Sequence, residues 1–186
     1  MKDLLALTKS FVDKSFDKQL PHYRQTLYWI LQLNPEADLA CQIAAYSHDI
    51  QRAFAFEENR KKIETSEAGF KDAAMLNEHQ NGGAQIMQKF LLEQGAESAL
   101  AKKVAHLISK HEIGGDFEQN LLKDADSLSY FECNAPSFIE RYAPIMGHAK
   151  VKAKFDWMFE RISSPEAKKI AKPIYDKALA ELTTAK

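Results

Sequence analysis

Six histidines stand at positions 22, 48, 79, 106, 111 and 148, and His48 is followed directly by Asp49 in the run AAYSHDIQRA. Neutral imidazoles and carboxylates are ligands for Mn, Fe, Ni, Co, Zn or Mg, so a set of them brought to one point would bind a divalent metal. The dipeptide alone does not make that case, because six His and eleven Asp in 186 residues give roughly a one-in-three expectation of such a pair by chance. What decides is which way each histidine faces.

The elements that aim these side chains read as helices throughout. Apolar residues recur at three- and four-residue spacing, and glycine and proline number only seven and six, so the chain is expected to be all-α. Candidate helices cover 2–15, 19–33, 36–49, 70–94, 97–111, 117–133, 135–145, 149–162 and 166–183. Asn34-Pro35, Gly95, Ile113-Gly114-Gly115-Asp116 and Ser163-Ser164-Pro165 separate them, and Pro173 should bend or interrupt the last. Residues 52–69, the most charged connection, are the candidate flap over a site.

Residues three and four apart share a helix face. His22 projects with Thr26, Trp29, Ile30 and Leu33; His48 with Cys41, Ala44 and Ala45; His111 with Val104, Leu107 and Ile108. His79 has Gly82 and Gly83 in the next turn, which admit a close neighbour. These four are expected to face inward, whereas His106 shares its side with Lys102, Lys103 and Lys110 and should face out. Any single one could be a core histidine satisfied by a hydrogen bond. Four of them, together with Asp49 and the acidic string KDADSLSYFE, favour convergence on a metal.

Composition narrows the partners. A net charge of −1 with 27% charged residues provides no positive field for a nucleic acid polymer or an anionic membrane, and no 18-residue apolar run reads as a membrane span. Cys41 and Cys133 stand far apart, without metal or disulfide spacing. At this length one domain is expected over 1–186, with a cytoplasmic location and a small-molecule partner. A homo-oligomer is compatible with the sequence.

The order His22, His48-Asp49, Asp126 resembles the HD superfamily of metal-dependent phosphohydrolases. The string LLKDADSLSYF is similar to the Lys-x-Ala-Asp-x-Leu segment of bacterial HD-type nucleotidases, and that resemblance selects Asp126 over Asp124, which helical projection leaves open. It implies an HD-type helical bundle with the metal-site core at about 20–133, the helices of 135–183 packed on it, and His22, His48, Asp49 and Asp126 as metal ligands. His79 and His111 look like the extra histidines of HD proteins that hold two metals. They are therefore candidates for a second metal or for substrate, although cyclic-dinucleotide phosphodiesterases carry paired histidines where this chain has Lys110-His111. His48-Asp49 is followed by Ile50-Gln51-Arg52 rather than by the acidic residues of guanosine tetraphosphate hydrolases and deoxynucleotidases, so neither substrate carries over. The strings resemble most an uncharacterised bacterial branch.

The implied activity is hydrolysis of a nucleotide or other small phosphate ester by a metal-activated water, with Asp49 both ligating and orienting. Arg52, four residues beyond His48, and Lys123, three before Asp126, are the candidate catalytic cations for phosphate. Arg24 is a further phosphate candidate, followed by Arg60 and Lys61 on the flap. Glu112 stands between a role beside a ligand histidine and a surface role. Trp29, Phe54, Phe56, Tyr130, Phe131, Trp157 and Phe159 read as core, as do the two cysteines, and neither His148 nor the C-terminal helices carry a readable motif. The competing activities are an HD-type di-iron oxygenase and a catalytically silent nucleotide-binding module.

Overall fold

Asp3, Asp38, Asp72, Asp116 and Ser164 each accept a hydrogen bond from a backbone N–H two or three residues on, which satisfies first-turn donors and fixes where these helices begin. The computed structural model describes residues 2–16, 19–55, 61 and 69–185, all helical or connecting, with no strand among the described residues. The helices are α1 (Leu4–Ser15), α2 (Leu20–Leu33), α3 (Leu39–Ser47), α4 (Ala73–Glu93), α5 (Ser98–Ile108), α6 (Phe117–Ser129), α7 (Ala135–Met146), α8 (His148–Glu160) and α9 (Pro165–Thr184). They form a single helical domain. Residues 56–60 and 62–68 of the expected flap, with Phe56 and Arg60, lie outside the described residues.

Among the described residues two large apolar cores are joined by a small third one of Leu128, Ile162, Ala167 and Ala171. The larger gathers Tyr23, Ile30, Ile43, Met87, Leu91, Val104 and Ile108 from α2 to α5, with Leu122 from α6. The second gathers Phe131, Ile139, Phe155 and Leu182 from the C-terminal helices. Helix α6 runs between them: α2 packs along its front and α9 reaches its back. Gly82 and Gly83 serve the first core. A β-carbon on Gly83 would stand 3.1 Å from the His48 carbonyl oxygen, and one on Gly82 would stand 2.9 Å from Gln51 Cγ. The close neighbour these glycines admit is the turn that carries His48 and Asp49.

Helices α6 and α7 are joined by a π turn, Tyr130–Asn134, rather than by a break. Pro136 has no N–H to offer the carbonyl four residues back, and its ring crowds that carbonyl; the wider turn relieves both. It also displaces Tyr130, Cys133 and Asn134 toward a cavity.

Several expectations are corrected. Pro173 does not interrupt α9: it is exposed, so the carbonyl its missing N–H would have met can be hydrated. The helix expected over 36–49 stops at Ser47 and the one expected over 97–111 stops at Ile108, leaving His48, Asp49 and His111 in the turns beyond. Phe54 is not core but 64% exposed. Trp29, Trp157 and Phe159 are only partly buried, and Cys133 is half-buried on the cavity wall.

Candidate metal centre

Four elements bring the inward histidines together. His22 comes from the first turn of α2, His48 from the cap of α3, His79 from α4 and His111 from the turn after α5, and all four are buried. Their rings form a chain in the order 22, 48, 111, 79, with successive centroids 5.1, 5.1 and 5.2 Å apart. His106 faces outward as expected and pairs with Asp116, and His148 is exposed.

Each ring is oriented by its Nδ1. That of His48 donates to the Ala45 carbonyl (3.1 Å), that of His111 to the Ile108 carbonyl (2.8 Å) and that of His79 to Gln51 Oε1 (2.9 Å). Ser129 Oγ gives its single proton to the His22 carbonyl, so at 2.8 Å from His22 Nδ1 it accepts. In this hydrogen-bond pattern the proton of every neutral ring is on Nδ1, and every Nε2 offers a lone pair. Metal-bound histidines are held in the same way, by a hydrogen bond from the other ring nitrogen.

These lone pairs meet carboxylates. His22 Nε2, His48 Nε2 and Asp126 Oδ1 form a triangle with sides of 3.2, 3.1 and 3.3 Å. Donors held at about 2.1 Å around one cation lie ~3.0 Å apart at right angles and ~3.4 Å apart at tetrahedral angles. The triangle matches that spacing. A second group joins Asp49, His79, His111 and Glu112, each offering a ligand atom within 4.8 Å of the others. Asp49 Oδ1 lies 2.8 Å from His79 Nε2 and 3.6 Å from His111 Nε2, and the latter nitrogen is buried with no hydrogen-bond partner. An orphaned lone pair among carboxylates fits a cation, so both donor sets suit a divalent metal, one or two ions in all.

Two arginines hold the carboxylates. Arg52 Nε donates to Asp49 Oδ2 (2.8 Å), and its Nη2 lies 3.6 Å from Glu112 Oε1. Arg161, buried at the end of α8, donates to both Glu112 and Asp126. Burial alone would push Asp49 and Asp126 up, but Arg52 beside the first and Arg161 beside the second hold both well below the usual carboxylate range. Glu112 is likewise drawn down to about 2, Arg161 outweighing burial. Three carboxylates and two guanidiniums leave the cluster one negative charge, which a divalent ion reverses.

The cluster opens into a cavity of about 410 Å³. His22, Asp49, His79, Glu112, Asp126 and Arg52 line one part of it, and Tyr130, Phe138, Tyr142, Lys154 and Met158 another. Of the expected cations among the described residues, only Arg52 is there. Lys123 is turned away, donating to Ser163 Oγ (2.6 Å) and Asn120 Oδ1 (3.2 Å), and Arg24 is 64% exposed beside Asp13 and Tyr46. Lys61 is exposed. Asp124 caps α9 by accepting from the backbone of Ser163 and Ser164, at 2.8 Å each, which leaves Asp126 to face the histidines.

The sequence reading missed Arg161, Lys154, Ser129 and Gln51 and left Glu112 undecided. One signal was present: Lys154, Trp157, Met158 and Arg161 share a helix face, and two cations beside a Trp and a Met on one face imply that the cations are buried with them.

Charge state sets how this site takes up metal. Burial lowers the His48 pKa, but Asp126 outweighs it and raises it above the ordinary histidine value, whereas burial and then Arg52 bring His79 down to about 4. A cation entering the first donor set must displace the His48 proton. Metal affinity is therefore expected to fall, by up to about tenfold per pH unit, as pH drops through the raised His48 pKa, with His79 adding a second proton only near pH 4. Competition titrations from pH 5 to 8 measure this slope, and a flat profile across that range would count against His48 as a ligand.

The fold and site define a helical protein with a buried cluster of histidines and carboxylates able to hold metal. The chain belongs to the family described as a domain of unknown function, DUF4202, whose family model matches residues 7–182. No curated protein and no solved structure matches it.

Proposed function

We propose that the protein is a metal-dependent phosphohydrolase of the HD type, acting on a nucleotide or another small phosphate ester. The observation that carries the reading is the convergence of four Nε2 lone pairs, each ring fixed through Nδ1, on three buried carboxylates. Arg52 and Arg161 leave this set one net negative charge beside the four lone pairs, which suits a divalent cation. The sequence order His22, His48-Asp49, Asp126 adds the resemblance to HD phosphohydrolases, and the cations Arg52 and Lys154 on the cavity wall suit an anionic substrate.

When bound here, a divalent ion supplies a Lewis acid and lowers the pKa of its water toward about 7. His22, His48 and Asp126 would hold one ion, and Asp49, His79, His111 and Glu112 a second. Asp49 stays ionised across the physiological range and so can accept a hydrogen bond from the attacking water and orient it. Arg52, fixed on Asp49 and 27% exposed at its side chain, lines the cavity and can orient a phosphoryl oxygen. The aromatic wall formed by Tyr130, Phe138 and Tyr142 excludes water from the rest of the substrate.

The test is a screen of the purified chain, supplemented in turn with Mn, Fe, Co, Ni, Zn and Mg, against nucleotides and simple phosphomonoesters and phosphodiesters, beside His48→Ala. Hydrolysis by the wild type, reduced roughly 10³-fold or more in His48→Ala, is the expected result. Activity that survives the substitution would sink the assignment. The contact between the two donor groups, through His48 and His111, favours a second reading as a di-iron oxygenase. Two irons per chain with a mixed-valence signal and no hydrolysis would select it, and ligand binding without turnover of any kind would indicate a silent binding module.

A further inference from the structure

The C-terminal wall of the cavity holds polar groups that belong to neither donor set. Lys154 is 9% exposed, and its ammonium stands over three rings, Trp157 at 4.2 Å, Phe70 at 5.2 Å and Tyr130 at 5.5 Å from their centroids. No carboxylate or hydrogen-bond acceptor among the described residues reaches it. The hydroxyl of Tyr130, on the π turn, is buried and has no partner either. Both residues line the cavity.

Unpaired buried donors are uncommon because their lost hydration is costly, and at a cavity wall they mark where a ligand's acceptors go. Aromatic faces partly stabilise an ammonium but accept none of its three N–H groups in the way an oxygen does. The other cations of the site are committed, Arg52 to Asp49 and Glu112, and Arg161 to Glu112 and Asp126. Among the described residues, Lys154 is thus a cavity cation that Glu112 and Asp126 attract only at a distance, with no hydrogen bond or ion pair of its own.

We propose that Lys154 and Tyr130 form an oxyanion-binding subsite, which takes a carboxylate or phosphate group of the ligand distinct from the group presented to the His/Asp/Glu cluster. The subsite deepens the phosphohydrolase reading and rests on it for the ligand's second group: the substrate carries an oxyanion in addition to the ester that reacts. The rings around Lys154 and the apolar side chains of Met75, Leu76 and Met158 would pack against the part of the molecule between the two groups. Burial pushes the Lys154 amine down to about 7, and an anion bound there would restore its charge. Burial holds the Tyr130 phenol well above its ordinary value, so it remains a donor.

Inorganic phosphate and acetate serve as the probes, titrated into the full chain with and without added metal. The readouts are calorimetry and the ε-carbon resonance of Lys154 in lysine-labelled protein, assigned from its absence in Lys154→Met. At least one probe is expected to shift that resonance saturably at millimolar concentration. Affinity should fall about tenfold in Lys154→Met and less in Tyr130→Phe, and be largely retained in Lys154→Arg, with bound metal unchanged throughout. Which probe acts distinguishes a phosphate from a carboxylate. Lys154→Met should fold at least as well as the wild type, because an unpaired buried ammonium is removed and the stem's packing is kept. No shift with either probe, or wild-type affinity in Lys154→Met, overturns the subsite even if metal binds. Failure to bind metal while the Lys154 shift persists overturns the metal reading and leaves the subsite standing.

Discussion

Replacing Asp49 with alanine is expected to strip the second donor set of its metal and abolish hydrolysis. Asp49 is 6% exposed, and one of its oxygens lies within 2.8 Å of His79 Nε2 and 3.6 Å of His111 Nε2. Without it the second donor set keeps two imidazoles and a glutamate that Arg161 also holds. The loss should appear in three measurements. Metal per chain falls, and kcat/KM drops by roughly 10³-fold or more. The thermal stabilisation that added metal gives the wild type, about 4 kcal/mol at a concentration a thousand times Kd or roughly 8–16 °C, largely disappears. Asp49→Asn separates charge from shape: it keeps the volume beside Arg52 but offers a neutral oxygen, so metal uptake should be nearly as poor while the fold is kept. A variant at this position that binds as much metal per chain as the wild type and retains its full melting shift would show that the carboxylate is a structural partner of Arg52 and nothing more.

Arg161→Met should produce a stability defect that depends on metal. The guanidinium lies between Glu112 and Asp126, and all three side chains are at most 7% exposed. Removing one partner of a buried ion pair costs about 3–5 kcal/mol, because the remaining charge is stranded in a medium that solvates it poorly. Here two carboxylates are stranded, each otherwise held well ionised by that arginine. In chelator the variant is therefore expected to melt roughly 10 °C or more below the wild type. With saturating metal the gap should narrow by at least half, since the cation then answers the same carboxylates. An equal deficit with and without metal would mean that Arg161 acts through packing on Trp157, which its guanidinium covers at 4.9 Å, and would separate it from the metal centre.

Both predictions depend on a joint between the two halves of the molecule. The N-terminal core supplies the histidines, and the C-terminal helices supply Arg161, Lys154 and the aromatic wall. Asp124 ties them once more by capping α9, the helix that directly follows the Arg161 turn. The paired acidic positions of KDAD thus divide their roles by the direction each faces from α6.

The sequence alone determined the all-helical class, because glycine and proline are few and the apolar spacing is that of helices. It also determined that His22, His48, His79 and His111 face inward, since their neighbours at three and four positions are apolar or small. Those are local properties, and a helix carries them wherever it packs. Tertiary packing decided the rest. Lys123 sits three residues before Asp126, as a phosphate ligand would, yet it turns to Ser163 because α9 covers that side of α6. Arg24 stays at the surface with Asp13. The face that Arg161 shares with Lys154, Trp157 and Met158 implies its burial but not its partners; only the packing of α8 with α7 and α9 in the tertiary fold places it between two buried carboxylates. Ion pairs and ring orientations depend on which helices meet, at distances of a few ångströms over separations of 35 to 107 residues. Nothing in local periodicity encodes that, whereas the inward direction of each histidine is written in the residues beside it.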